Sequence, residues 1–142
     1  MQTTVSLGHA EAQRAIEAIQ QEIERRGTPV TVAVADSGGE LIGLLRMDGA
    51  PLSSIVIASN KAWTAARERK STEEVGRAAR DSVDGFEMSY FGDGRYTGWG
   101  GGIPVRVNDV VVGAVAVSGL TSAQDVELAQ IGVAAIASTI GD

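Results

Sequence analysis

The chain has 142 residues, 18 acidic against 12 basic side chains, a formal net charge of −6 at pH 7 and no cysteine. A negative charge repels nucleic-acid phosphates and an aromatic share of 4% leaves little to stack on bases, so we expect no nucleic-acid partner. The lack of cysteine excludes thiolate nucleophiles and thiolate metal sites, and we expect no metal site. No apolar run approaches the roughly 20 residues of a membrane-spanning helix and the first residues lack the pattern of a signal peptide, so we expect one cytoplasmic domain with no membrane partner.

Helical spacing and β-branched runs alternate in the first half of the chain. They predict, in order, a helix at residues 9–26, a strand at 29–36, a strand at 40–47 and a helix at 52–69. The turn residues Ser37-Gly38-Gly39 separate the two strands and make them a hairpin. Pro51 stands at the first turn of the second helix, where the backbone N–H has no helical partner.

The second half predicts a short helix, a long irregular segment, another hairpin and a terminal helix. These lie, in order, at residues 71–81, 82–102, 103–107 with 110–119, and 121–139. Ser71 and Glu74 have the spacing of a capping box, and Asn108-Asp109 is a hairpin turn signal. Two hairpins with helices around them predict an α+β domain over residues 1–142, with one antiparallel sheet of about five strands flanked by helices.

Three blocks of sequence carry a family resemblance. They read VAVADSGGELIGLLRMDGA, ASNKAWTA and GGGIPVRVNDVVVGAVAVSGLTSAQDVELA, in that order along the chain. They resemble the GlcG/HbpS family, also called DUF336 or the haem-degrading-domain family, which includes the C-terminal domain of PduO-type proteins. The resemblance implies an antiparallel sheet flanked by helices, homo-oligomers, and in some members a bound haem or related tetrapyrrole. Other members lie in gene contexts for the catabolism of small organic acids and aromatic ring-cleavage products.

The resemblance also marks individual positions in this sequence. They are Asp36, Arg46, Met47, Asp48, Lys61, the block Gly100–Pro104, Ser118 and Gln124-Asp125. Lys61 lies among small apolar residues of the second predicted helix. It either faces the sheet as a partly buried ammonium that needs an anion, or extends into solvent. The resemblance favours a binding site that includes Lys61. Arg46 could clamp a carboxylate or simply pair with Asp48, whereas Asp36 has the ordinary chemistry of a turn.

Three glycines, Gly100–Gly102, stand directly before a predicted strand and just after two aromatic rings and a cation. Bare backbone amides of this kind can hold a carboxylate or a propionate, while the rings cover an apolar ligand. A β-bulge that lets the strand enter the sheet is the equally weighted alternative. The predicted ligand-binding residues are Arg46, Lys61, Arg95, Tyr96, Trp99, Gly100, Gly101, Gly102, Ile103 and Pro104.

Two functions from different classes follow. The first is a small-molecule-binding protein that binds haem or another flat anionic ligand at the glycine-rich loop. His9, the only histidine, is then either the iron ligand or an ordinary solvated residue. The second is a metal-free enzyme for tautomerisation, hydration or hydrolytic dehalogenation of a small, muconate-like carboxylic acid. Its candidate catalytic residues are Asp36, Asp48, Lys61, Arg95 and Asp125, with Glu87 and Asp93 as further carboxylates. A scaffold protein with a vestigial pocket is a third alternative, and the apolar terminal helix adds to the expectation of a homo-oligomer.

Overall fold

Four α-helices and four strands follow one another along residues 1–140, the part of the chain that the computed structural model describes. They are α1 (His9–Arg26), β1 (Thr31–Asp36), β2 (Leu41–Arg46), α2 (Ser54–Glu68), α3 (Thr72–Ala79), β3 (Gly102–Val107), β4 (Val110–Ser118) and α4 (Ser122–Ile140). A short 3-10 helix, Met88–Phe91, lies between α3 and β3. The α+β class and the predicted order of elements are confirmed.

The strands form one antiparallel sheet in the order β2-β1-β4-β3. The pairs β1–β2 and β3–β4 are hairpins, and β1 and β4 pair at the centre to join them. The prediction of about five strands was wrong by one, since the described sheet has four. The segment between α3 and β3 adds no strand because it consists of turns and the 3-10 helix.

Alternating valine and alanine in the two central strands sort the helices into two layers. Successive side chains of a strand point to opposite faces. The valines of β1 and β4 pack in one core with residues of α1 and α4, and their alanines pack in a second core with the alanines of α2. The small alanine side chains let the α2 backbone approach the sheet closely, and α2 therefore lies on the face opposite to α1 and α4.

The turn and cap residues act as their types predict. Gly27 ends α1 in the left-handed region with φ 77°, and Asn108 and Asp109 form the β3–β4 turn with φ of 52° and 64°. The Ser71 hydroxyl accepts a hydrogen bond from the Glu74 N–H at 3.2 Å, which confirms the predicted cap of α3. None of the helices in residues 1–140 combines the length and apolarity required to cross a bilayer.

Candidate functional site

A buried ion pair joins the two helical layers near the end of β4. The Lys61 ammonium of α2 lies 3.1 Å from Oδ2 of Asp125 on α4, and each side chain is only 3% exposed. Lys61 Nζ also donates to the Val117 carbonyl of β4 at 3.0 Å. Because α2 and α4 lie on opposite faces of the sheet, these bonds tie both helices to the sheet at one point.

The second oxygen of the Asp125 carboxylate also has a partner. Its Oδ1 accepts a hydrogen bond from the Leu120 N–H at 3.1 Å, in the connection between β4 and α4. Asp125 lies in the first turn of α4, where a negative charge interacts favourably with the helix dipole. The carboxylate therefore holds the connection and neutralises Lys61 at the same time.

Burial shifts both members of the pair towards their uncharged forms. Desolvation lowers the pKa of Lys61, against the opposing effect of Asp125. Desolvation also raises the pKa of the Asp125 carboxyl, against the opposing effects of Lys61 and of the backbone N–H groups. Both shifts arise because a charged group loses hydration in the interior. Proton uptake by Asp125 is consequently less costly than it is for an exposed carboxylate.

The backbone of the glycine triplet lies directly against this pair. Gly101 has φ 134°, and a Cβ there would lie 2.7 Å from Lys61 Nζ and 2.6 Å from the Val117 carbonyl oxygen. A Cβ on Gly102 would lie 2.6 Å from the Lys61 carbonyl oxygen. The Gly101 carbonyl accepts from the Val117 N–H at 3.0 Å, and the Gly102 N–H donates to Thr72 Oγ1 at 2.9 Å. Close approach of backbone to Lys61 is thus the reason for glycine at Gly101 and Gly102.

A cleft of about 290 Å³ opens beside the ion pair. Its walls come from the start of α2, the end of β4, the start of α4 and the irregular loop. The lining residues are Pro51, Ser53, Ser54, Ile57, Lys61, Trp99, Ser118, Gly119, Leu120, Ser122 and Asp125. Lys61 and Asp125 are the only charged residues among the described residues that line it. Trp99, which is 61% exposed, lies at its rim.

A second cluster forms around Trp63, on α2. The guanidinium carbon of Arg95 lies 4.1 Å from the centre of the Trp63 ring, and Tyr96 meets the same ring edge-on at 4.7 Å. Arg95 also donates to both oxygens of Asp93, at 3.1 and 2.8 Å, which lowers the pKa of Asp93 to about 2. Arg95 is therefore already paired with a carboxylate and stacked on a ring.

Thr64 fixes the irregular loop to α2. Its Oγ1 accepts from the Thr97 N–H at 3.1 Å and donates to the Arg95 carbonyl at 3.1 Å. This anchor places the aromatic residues of the loop over α2 and brings the chain to the glycine triplet at the edge of the cleft.

The structure brings some of the predicted site residues together and separates others. Lys61, Asp125 and Trp99 line the cleft, with Gly101 in contact with Lys61. Arg95 and Tyr96 lie over Trp63 and do not line it. Gly100 is buried, and a Cβ there would lie 3.0 Å from Cγ2 of Val126.

The remaining predicted positions lie farther from the cleft. Arg46 and Asp48 are exposed around the end of β2, and no ion pair forms between them in the described residues. Oδ1 of Asp36 accepts from the N–H groups of Gly38 and Glu40, both at 2.9 Å, as its turn chemistry predicts. Ile103 and Pro104 pair with Val115 and Ala114 inside the sheet. His9 is exposed at the start of α1, in the layer opposite to α2.

Ser118 of the cleft was marked by the family resemblance, but sequence reasoning missed the hydroxyl groups at the start of α2. Ser53 and Ser54 stand at the start of α2, and Ser54 Oγ lies 2.7 Å from Thr31 Oγ1 of β1. Their position two and three residues after Pro51, at a predicted helix start, was the available signal. It became informative only once the fold placed that helix start beside Ser118 and Asp125.

Comparison with known proteins places the chain in a family. A family model described as haem degrading protein HbpS-like matches residues 7–134. Protein GlcG of Escherichia coli strain K12 is 36% identical over 118 residues, which are 83% of this chain and 85% of that protein.

Two solved structures show the same fold. The crystal structure of Klebsiella pneumoniae protein ORFY, of family DUF336, superimposes with a TM-score of 0.92 at 33% identity, over 97% of this chain and 95% of that one. The crystal structure of the PduOC:heme complex has a TM-score of 0.85 at 26% identity, over 92% of this chain and 95% of that one.

Proposed function

The chain belongs to the HbpS-like family, and we propose that it is a small-molecule-binding protein whose ligand is haem or another flat anionic molecule. The observation that carries this proposal is the match over 92% of the chain with a protein whose structure is a heme complex. The family description points to the same ligand.

The donor set of the chain is compatible with haem. His9 is the only histidine, and its exposed position leaves the imidazole free to reach an iron. An imidazole is an ordinary axial ligand of haem iron. Trp99 and Tyr96 offer flat apolar surface at the loop, where we place the ring contacts of the ligand. Since Tyr96 packs on α2 and His9 lies on the opposite layer, a haem that touches both residues would lie between two copies of the chain.

A haemin titration of the purified protein, followed by absorbance, tests the proposal. We expect a saturable Soret shift at a fixed stoichiometry, and at least about tenfold weaker binding in His9→Ala, because loss of an axial ligand removes a bond to iron. Gln13→Ala is the matched control, since Gln13 is exposed one turn further along α1. It is expected to bind like the unchanged protein.

The possible results test separately whether haem is the ligand and whether His9 binds its iron. Saturable binding that is equal in His9→Ala and Gln13→Ala would retain haem as the ligand and remove His9 from the site. A Soret change that never saturates would contradict haem binding itself. The enzymatic alternative has less support, because the family description and the matched heme complex both name haem.

We further propose that the protein assembles from copies of itself. Leu52, in the turn before α2, and Val56, in the first turn of α2, are 75% and 62% exposed. Trp99 is 61% exposed at the rim of the cleft, which the start of α2 also lines. Exposed large apolar side chains gathered in one place are typical of an interaction surface. Location in the cytoplasm stays a prediction.

A further inference from the structure

The cleft beside Lys61 and Asp125 contains hydrogen-bond donors that no group in residues 1–140 uses. An ammonium has three N–H donors, and Lys61 directs one to Val117 and one to Asp125. Ser118 is only 5% exposed, lines the cleft, and makes no side-chain hydrogen bond within the described residues. Donors without a protein partner on the wall of a cleft are suited to a ligand with acceptor atoms.

The electrostatic setting favours an acceptor that is an anion. The first turns of α2 and α4 both contribute to the cleft, through Ser53 and Ser122. The positive ends of two helix dipoles therefore lie beside the Lys61 ammonium.

The size and walls of the cleft limit the rest of the ligand. Ile57, Leu120 and Trp99 supply apolar surface. A volume of about 290 Å³ is at the lower end of ligand-binding pockets, which favours a molecule with one anionic group and a short apolar body.

We propose that this cleft binds the carboxylate of a small, free organic acid on Lys61 and Ser118. The apolar body of the acid lies against Ile57 and Trp99. This is a binding site at which no bond is formed or broken, and it goes beyond the proposed haem function.

Charge balance predicts that the acid binds together with one proton. Lys61 from α2 and Asp125 from α4 neutralise each other, while β4, its following turn and the loop contribute only uncharged residues to the cleft. A bound carboxylate leaves a net negative charge in a desolvated site, and protonation of Asp125 removes it. Burial already raises the pKa of Asp125, so its carboxylate takes up a proton more readily than an exposed carboxylate does. Affinity is then expected to fall as the pH rises, by up to about tenfold per pH unit.

Calorimetric titration of the full chain with benzoate tests the site, with benzamide as the uncharged analogue of the same shape. Fluorescence of Trp99, at the rim of the cleft, gives a second readout. We expect saturable benzoate binding, much weaker benzamide binding, tighter benzoate binding at pH 6 than at pH 8, and uptake of one proton in buffers of different ionisation heat.

Ser118→Ala is the deciding variant, because it removes one unpartnered hydroxyl and leaves the fold intact. It is expected to weaken benzoate binding about tenfold through loss of a hydrogen bond to a charged group. Ser59→Ala is the matched control on α2, where Ser59 donates to the Ile55 carbonyl at 3.0 Å outside the cleft. Lys61→Met should abolish binding where the variant folds.

The proposal is overturned by the absence of saturable benzoate binding at millimolar concentration, by equal binding of benzamide, or by unchanged affinity in Ser118→Ala. Repeating the titration with the protein saturated with haemin distinguishes the source of the carboxylate. Benzoate binding that persists supports a free acid, whereas its loss assigns the cleft to a haem propionate and overturns a free acid. Benzoate binding by a protein that fails to bind haemin supports this site and contradicts only the haem proposal.

Discussion

Replacement of Gly101 by alanine is expected to destabilise the protein far more than the same change at Gly92 or Gly94, two glycines with open space around them. The added Cβ would lie 2.6 Å from the Val117 carbonyl oxygen, 2.7 Å from Lys61 Nζ and 3.0 Å from Asp125 Cβ. Relief of these contacts requires movement of β4 or of the buried ion pair. Movement of the ion pair would lengthen the bonds that hold α2 and α4 to the sheet.

The magnitude has two parts. A backbone held in a region that side chains rarely adopt costs about 1–3 kcal/mol, and Gly101 has φ 134°. Overpacking of a tight interior costs about 1–3 kcal/mol more. The free energy of unfolding should therefore fall by about 4 kcal/mol, which for a chain of this length lowers Tm by roughly 10 °C.

Urea denaturation followed by circular dichroism measures this difference, and two other glycines separate its parts. Gly92 has φ 76° and nothing within 4 Å of a new Cβ, so Gly92→Ala should lose only about 1 kcal/mol from backbone strain. Gly94 has open space and no left-handed φ, so Gly94→Ala should be neutral or slightly stabilising. Gly101→Ala as stable as Gly92→Ala would refute the view that close approach to Lys61 requires glycine.

Three further predictions concern the ion pair, the exposed apolar surface and an ion pair in the loop. Lys61→Met should lower the free energy of unfolding by about 3–5 kcal/mol, because it leaves the Asp125 carboxylate buried without its partner. The double variant Lys61→Met/Asp125→Leu, which removes both charges, should recover much of this loss. Equal urea midpoints of the single and double variants would contradict the coupling. Light scattering should give an oligomer that Leu52→Glu with Val56→Glu converts to a monomer, and a monomeric unchanged protein would contradict self-association. Asp93→Asn should be less stable than the unchanged protein at pH 6, because a lowered pKa makes the ionised form stabilising. The difference in stability between the two proteins should vanish as the pH falls from 3.8 to about 2, the range in which Asp93 takes up its proton. Thermal melts that show a constant difference over this range would contradict a stabilising role for ionised Asp93.

The sequence alone predicted the elements well, because their signals are local. Helical spacing, the turn at Asn108-Asp109 and the cap at Ser71 each depend on residues a few positions apart, and all three are confirmed. The fifth strand was wrong because the two predicted hairpins account for only four strands, and no further segment has a strand pattern. The family was also recognisable from three blocks of sequence, since these blocks occur in the same order as in its members.

The candidate site was predictable only as a set of residue types. Sequence reasoning named Lys61, Trp99 and Asp125, and the structure places all three around one cleft. It named Arg95 and Tyr96 with equal weight, although these pack on Trp63. The difference depends on which side of α2 the loop crosses, and nothing within the loop sequence determines that side.

What the sequence determined by itself was the order of elements, their caps and turns, and the valine–alanine alternation that assigns each strand face to a helix layer. What the tertiary structure decided was the environment of Lys61, which the sequence left open between solvent and the interior. Its partner, Asp125, is 64 residues away and comes from a helix on the other face of the sheet. Local patterns reflect interactions between near neighbours in the chain, whereas the partner of a buried charge depends on how distant elements pack. For the same reason the glycine at position 101 was visible in the sequence, but the Lys61 ammonium beside it was not.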